Sequence, residues 1–315
     1  MKIPKLLPHE WLCLGFMLSL WIRLVWATGF FTRDALLLLL VMVSSGAIVA
    51  LAAWRETDLR WRLRLLFYPA SMNAIYFLLA TAVPSVHGGR EDEALQSLDL
   101  WLVGDHPSLW MQRWVNPVAT EVLSFCYLWY LFYLFSSQIE YMFTDIDVLK
   151  RHYTGLFSIY AIGYACYSLV PAVGPHLAMA DQFTVPLEGG PLTRLTSDIV
   201  LAASNRVDVF PSLHVAVSVY LLLFDRGHKY WRFLLYLLPC AGLVIATIYL
   251  RYHYLTDIIC GLGLSFLALW LARDRSLEEK HVSREIANHG IKTQACPHHR
   301  RVQRYRLGAG EAVRT

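Results

Sequence analysis

The chain has 315 residues, of which 56% are hydrophobic and only 17% charged, and its formal net charge is +4. That balance excludes an intrinsically disordered chain and an ordinary water-soluble globule. The charge excess is too small and too one-sided to suggest nucleic acid, whereas 11 Trp and 17 Tyr suit aromatic belts at a membrane interface.

A membrane-spanning helix needs about 20 mostly apolar residues. In chain order, eight segments qualify: 11–31, 35–54, 65–83, 117–137, 153–171, 209–224, 231–250 and 254–272. Lys2, Lys5 and the apolar stretch from Trp11 imitate a signal peptide. The run is long and its small-residue cleavage pattern is poor, so an uncleaved first span is expected. That span carries Arg23, which must snorkel or find a partner. Segment 84–116 is acidic and places Leu95, Leu98, Trp101, Leu102, Trp110 and Trp114 at a spacing that suits a short amphipathic helix lying in the interface. Glu121 and Glu140 flank the fourth span as boundary residues. Segment 172–208 holds Gly174, Pro175, Gly189, Gly190 and Pro191 and reads as an irregular loop. The sixth span is short, with roughly 24 Å of helix between Asp208 and Asp225.

The expected fold is therefore all-α, a polytopic membrane helical bundle of about eight transmembrane helices. Residues 1–94 would hold the N-terminal spans, 95–272 a catalytic membrane core, and 273–315 a basic cytosolic tail. Lys2, Lys5, Arg55, Arg60, Arg62, Arg64, Lys150, Arg151, Arg226, Lys229, Arg232 and the tail all fall on one side of such a bundle. Arg33, Arg90, Arg113, Arg194, Arg206 and Arg251 fall on the other. The positive-inside rule then places both termini in the cytoplasm. Six cysteines are present, none paired in a loop and none in a C-x-x-C, so neither a disulfide nor a zinc ribbon is expected. The tail's Cys296-Pro-His-His reads as part of a solvated basic segment, whose arginines could contact anionic lipid.

Ionisable residues inside apolar spans need a reason. His214 sits in Asp208-Val-Phe-Pro-Ser-Leu-His, at the outer end of the sixth span. His253 and Asp257 sit where the seventh span turns into the eighth. The span count puts both segments on the extracytoplasmic face. His253 and Asp257 are i and i+4 and share a helix face. A carboxylate on one imidazole nitrogen leaves the other free as nucleophile or base. His214 could then act as general acid. Ser212, the backbone amides at the start of the sixth span, Arg251, Arg206 and His176 are candidates to bind a phosphate group. A metal site stays open on the residues alone, since two His and one Asp could ligate zinc or manganese with His176 as a fourth ligand. A different class also stays open: a non-enzymatic transporter or lipid-binding protein whose His and Asp form a proton relay. Depth is a difficulty. Counted from the cytosolic edge, His214 stands at roughly 18 Å and His253 at roughly 30 Å. Tilt or a tight descending turn must close that gap.

Phe210-Pro-Ser-Leu-His214 and His253-Tyr-Leu-Thr-Asp257 resemble the second and third signature segments of the type-2 phosphatidic acid phosphatase superfamily. The Pro-Ser-Leu-His form is most similar to the inositol phosphorylceramide synthase-like branch. Asp99-Leu-Trp-Leu-Val-Gly104-Asp-His-Pro107 and Val173-Gly174-Pro175 are also reminiscent of it. The resemblance implies a helical bundle with its site at one membrane face, and with the charge bias the expected location is the plasma (inner) membrane with the site facing outside the cytoplasm. It implies nucleophilic attack by His253, support from Asp257, proton transfer by His214, a phosphohistidine intermediate, and neither metal nor cofactor. The implied substrate is a phospholipid or lipid phosphate, taken from the bilayer. Nothing in the residues identifies a protein partner. The usual first signature, Lys-x6-Arg-Pro, is absent. Thr247 stands where an arginine precedes the nucleophile by six residues, and Leu213 replaces the glycine of Pro-Ser-Gly-His.

Overall fold

A computed structural model describes residues 5–273, and the Cys296-Pro-His-His segment and the rest of the tail lie outside the described residues. Every described element is helical. The α-helices in order are α1 (Pro8–Thr28), α2 (Arg33–Trp54), α3 (Asp58–Val86), α4 (Asp92–Val103), α5 (Pro107–Trp110), α6 (Pro117–Met142), α7 (Ile146–Leu169), α8 (Pro175–Ala178), α9 (Pro191–Ala203), α10 (Leu213–His228), α11 (Tyr230–Tyr249) and α12 (Leu255–Leu271), with short 3-10 turns at Met111–Trp114 and Ala180–Gln182. All eight apolar segments fall on helices. Five of these, α1, α2, α3, α6 and α11, are long and apolar enough to cross a membrane, and α12 is apolar but shorter. These helices mark a membrane protein.

Two of the helices below that mark, α7 and α10, are interior ones. Helix α7 is surrounded by α1, α3, α10 and α12, and buries His152, Tyr153, Thr154, Ser158, Tyr164, Tyr167 and Ser168. A helix whose neighbours are protein on all sides can keep hydroxyls and small residues that lipid would penalise. Helix α10 packs on α7, α11 and α12 in the same way.

Several element boundaries differ from the sequence expectation, α7 for example starting at Ile146 rather than 153, and three of the differences have a clear local reason. Helix α3 begins at Asp58 because Thr57 caps it, its hydroxyl accepting from the Arg60 amide. Arg62 and Arg64 therefore lie on a helix rather than in a loop. Arg62 donates to the carbonyls of Met142 and Thr144 at the end of α6, and buried Arg64 pairs with Glu10 of α1. Helix α10 starts at Leu213, four residues late, because Pro211 precedes Ser212, whose hydroxyl caps the helix by accepting from Val215 N. It then runs on to His228. Segment 172–208 is not irregular throughout, since it folds α8 and the 13-residue α9. Glu121 explains α9: its carboxylate accepts from Gly190 N, Leu192 N, Thr193 N and Thr193 Oγ1 at 2.7–3.0 Å. The expected interfacial helix is α4, with Leu95 buried and Leu98, Trp101 and Leu102 exposed.

Arg23 finds its partner within the bundle, donating to the Ser168 hydroxyl and carbonyl at the end of α7. The hairpin of α10 and α11 is fixed by a buried ion network. Asp225 is fully buried and accepts from Tyr133 Oη at 2.8 Å, Tyr141 Oη at 2.6 Å and Arg232 Nε at 2.9 Å. Arg232 also pairs with Glu140, which Lys229 joins, and donates to Ser137. Glu140 is thus a tie between α6 and the hairpin rather than a mere boundary. Breaking a buried pair by removing one partner costs about 3–5 kcal/mol. An Arg232→Met variant should therefore unfold at a clearly lower temperature in detergent. Glu140→Gln, at a partly exposed position, should cost less, as differential scanning fluorimetry would show.

Candidate active site

The two histidine segments meet because the chain between α11 and α12 turns sharply back. The amides of Tyr252 and His253 both donate to Thr247 O at 3.0 Å, and Arg251 adopts a left-handed φ of +69°. This descending turn lowers His253 towards His214 and removes the difference in depth. The two rings lie 5.7 Å apart, centroid to centroid. The segments are also joined through backbone, since Ser212 N donates to Asp257 O at 3.0 Å. That approach is close enough to require glycine at 261, where a Cβ would stand 2.6 Å from Ser212 O.

Each histidine is held. Asp257 Oδ2 lies 3.4 Å from His253 Nδ1 and accepts from Tyr254 N at 2.8 Å, capping α12 while steadying the ring. Asp257 Oδ1 is buried with no hydrogen-bond partner. His253 is buried, and burial pushes its imidazole down from 6.5 to about 4. His214 stacks on Tyr127, whose hydroxyl meets Nε2 at 3.2 Å, and packs against Tyr130. Burial first, and then neighbouring His253, holds the His176 imidazole below its ordinary value.

Helix α4 grips both sides of this arrangement through two buried aspartates seven residues apart, on one helix face. Asp99 accepts from Leu255 N, Thr256 N and Thr256 Oγ1 at 2.7–2.9 Å, satisfying the first turn of α12. Asp92 accepts from Val173 N, Gly174 N and Tyr254 Oη at 2.9–3.2 Å. Gly174 has φ +86°, and a Cβ there would lie 2.6 Å from Tyr252 O, so loop 173–176 rests directly on the descending turn. Asp92 and Asp99 are the principal residues that sequence reading missed. The Asp99 segment drew notice for its resemblance, but nothing in the sequence reveals which amides an aspartate will reach.

His176, His214 and His253 line a cavity of about 280 Å³. It runs beside α6 from Tyr127 past Leu131 and Leu134 to Gln138, roughly 16 Å along the helix axis. Tyr76 of α3 and Tyr160, Tyr164 and Tyr167 of α7 line the opposite side. It is polar around the histidines and Asp208, and mainly apolar beyond them at Met72, Leu134 and Phe157, with Gln138 at the far end. Of the remaining candidates, Ser212 is wholly buried and spends its hydroxyl on the α10 cap. Arg251 lies over the Phe183 ring at 4.0 Å and donates to Val185 O. Arg206 is exposed, with φ +61°. None of these three lines the cavity. No group of three or more His, Cys, Asp or Glu with metal-holding geometry occurs among the described residues.

A family model described as the PAP2 superfamily matches residues 93–271. The chain belongs to this superfamily, which carries phosphatase and phosphotransferase chemistry in membrane helical proteins. The match begins inside α4 and ends with α12, leaving α1, α2 and α3 outside it. No curated protein and no solved structure matches the chain.

The Asp99 cap makes a direct prediction. Asp99→Ala strips the first turn of α12 of its acceptor, a loss worth about 0.5–2 kcal/mol for a helix cap. Hydrogen exchange at the amides of Leu255 and Thr256 should accelerate, with amides in the middle of α11 unchanged. Unaltered exchange at 255–256 would show that α12 does not depend on this contact.

Proposed function

We propose that this PAP2-superfamily chain is an integral membrane phosphoester transferase or hydrolase acting on lipid phosphates or phospho-headgroup lipids. The observation that carries the reading is the meeting of His214 and His253, 5.7 Å apart, in the wall of a cavity that is polar at the histidines and apolar below. A lipid fits such a space with its phosphate at the rings and its chain among Met72, Leu134 and Phe157.

In the proposed reaction Asp257 keeps the proton on His253 Nδ1, so that Nε2 attacks phosphorus. The bond from phosphorus to the leaving oxygen breaks, and protonated His214 gives that oxygen its proton. His253 then carries the phosphoryl or phospho-headgroup. In the second half, neutral His214 takes a proton from water or from an acceptor alcohol, whose oxygen attacks phosphorus. The P–N bond breaks, and His253 is restored. Water gives hydrolysis, and a lipid hydroxyl gives transfer, as the synthase-like Pro-Ser-Leu-His form favours. No metal enters this scheme. His176 borders the same space and can donate a hydrogen bond to a phosphate oxygen. Eight spans with both termini in the cytoplasm, as the positive-inside bias favours, would put the site at the extracytoplasmic face of the plasma (inner) membrane. In this reading residues 95–272 form the catalytic core.

Assay of a panel of lipid phosphates and phospholipids, with diacylglycerol and ceramide as acceptors and excess chelator, tests the reading. His214→Ala should lower kcat by about 10²–10⁴-fold. His253→Ala should abolish turnover together with any phosphohistidine trapped by mass spectrometry. Activity that survives His253→Ala would refute the nucleophile. The pH dependence has a definite sign. Because burial holds His253 at about 4 rather than 6.5, its attacking form persists well below neutrality. With a phosphodiester substrate that does not titrate between pH 4 and 8, the acid limb of kcat/KM should lie well below 6.5. A limb at 6.5 would mean that the working ring is solvated.

A further inference from the structure

Asp208 is the one charged group, histidines aside, among the described residues lining the cavity, and no lysine or arginine lines it. It is half-buried, and each carboxylate oxygen holds one hydrogen bond: Tyr76 Oη donates to Oδ2 at 2.5 Å and Ser204 Oγ to Oδ1 at 3.0 Å. An ionised carboxylate accepts about four such bonds, so a residue that lines the cavity keeps acceptor capacity on both oxygens. It stands near enough to His176, His214 and His253 to act on all three electrostatically. A second anion is a poor occupant beside it, because like charges in a site of low dielectric repel strongly. A hydroxyl donor fits such a group, since both of its present partners are hydroxyls.

We infer that Asp208, braced by Tyr76 and Ser204, is a hydroxyl-binding subsite beside the histidine pair, taking an alcohol group of the lipid headgroup or of the acceptor. This rests on the reaction proposed above and narrows its substrate to a monoanionic phosphodiester over a dianionic phosphomonoester. Tyr76 belongs to α3, upstream of the family-matched segment. The N-terminal helices therefore help to determine specificity.

The test uses the full chain in lipid nanodiscs as wild type, Asp208→Asn and Tyr76→Phe. The donors are phosphatidylinositol, whose headgroup carries hydroxyls, phosphatidylmethanol, whose headgroup has none, and phosphatidic acid, each with and without diacylglycerol. For the wild type, phosphatidic acid should be the poorest donor, and finding it the best would overturn the proposal. If the hydroxyl is the headgroup's, Asp208→Asn lowers kcat/KM for phosphatidylinositol at least tenfold more than for phosphatidylmethanol. If it is the acceptor's, the KM for diacylglycerol rises at least tenfold with either phosphodiester. Tyr76→Phe, which leaves the charge in place, moves the same quantity by a smaller factor and carries the test should Asp208→Asn fail to fold. Equal losses on all donors with an unchanged diacylglycerol KM would refute the subsite. If no lipid turns over, the reaction itself fails and binding decides the subsite. Displacement of a fluorescent short-chain lipid then compares the affinity ratio of phosphatidylinositol to phosphatidylmethanol in wild type and Asp208→Asn. A fivefold fall in that ratio upholds the subsite, and an unchanged ratio overturns it.

Discussion

The first turn of α12 is the constraint on which the site depends. A helix that begins inside a protein leaves amides that must find acceptors, and here they emerge directly after His253. Asp99 and Asp257 supply those acceptors, one from outside the helix and one from its own third position. The same Asp257 that caps the helix lies against the His253 ring, so helix start and ring position cannot be set independently. Asp92 extends the arrangement to loop 173–174 and to Tyr254, which brings His176 to the same space. Helix α4 thus works as a brace across the mouth of the bundle. Its inner face holds the reacting loop, while Leu98 and Trp101 on its outer face remain exposed.

Much of this was legible in the sequence. Apolar segments of about twenty residues reveal helices because the bilayer sets their length, and all eight segments proved helical. The two signature segments pointed to His214, His253 and Asp257, but His253 precedes α12 and shares no helix face with Asp257, which meets its ring from the third position of the helix while capping it. Capping was the less legible part. Ser212 after Pro211 moved the start of α10 by four residues, and Thr57 moved that of α3 by seven. Glu121 and Glu140 were read as boundary residues because each sits near a span end. Their actual roles depend on α9 and on the α10–α11 hairpin, which arrive from far along the chain. Arg251 shows the same limit. Two residues before the histidine it looked suited to phosphate, but the left-handed turn that lowers His253 directs the guanidinium to Phe183 and Val185.

The N-terminal helices are tied to the rest through α7, against which α1 and α3 both pack. That explains why α7 can be rich in hydroxyls: it is shielded by protein on the side where another span would meet lipid. Tyr76, Tyr160, Tyr164 and Tyr167 then present phenols to the cavity rather than to the bilayer. Phenols give a wall that is apolar across the ring and hydrogen-bonding at the edge. Such a wall suits a ligand that changes from polar to apolar along its length.

The two ends of α10 treat charge in opposite ways, and the contrast separates structure from chemistry. At its C-terminal end Asp225 has three donors, including an arginine that is itself shared with Glu140. Asp225, Arg232, Glu140 and Lys229 pair with one another, and the network serves the hairpin. Beyond its N-terminal end Asp208 has two neutral donors and no cation, and it faces imidazoles that burial holds largely neutral. Leaving a half-buried carboxylate without a counter-ion has a cost, and ion pairing at the other end of the same helix is the alternative this fold also uses. Under the proposed reading, the carboxylate beside His214 and His253 has room for an occupant that supplies further donors.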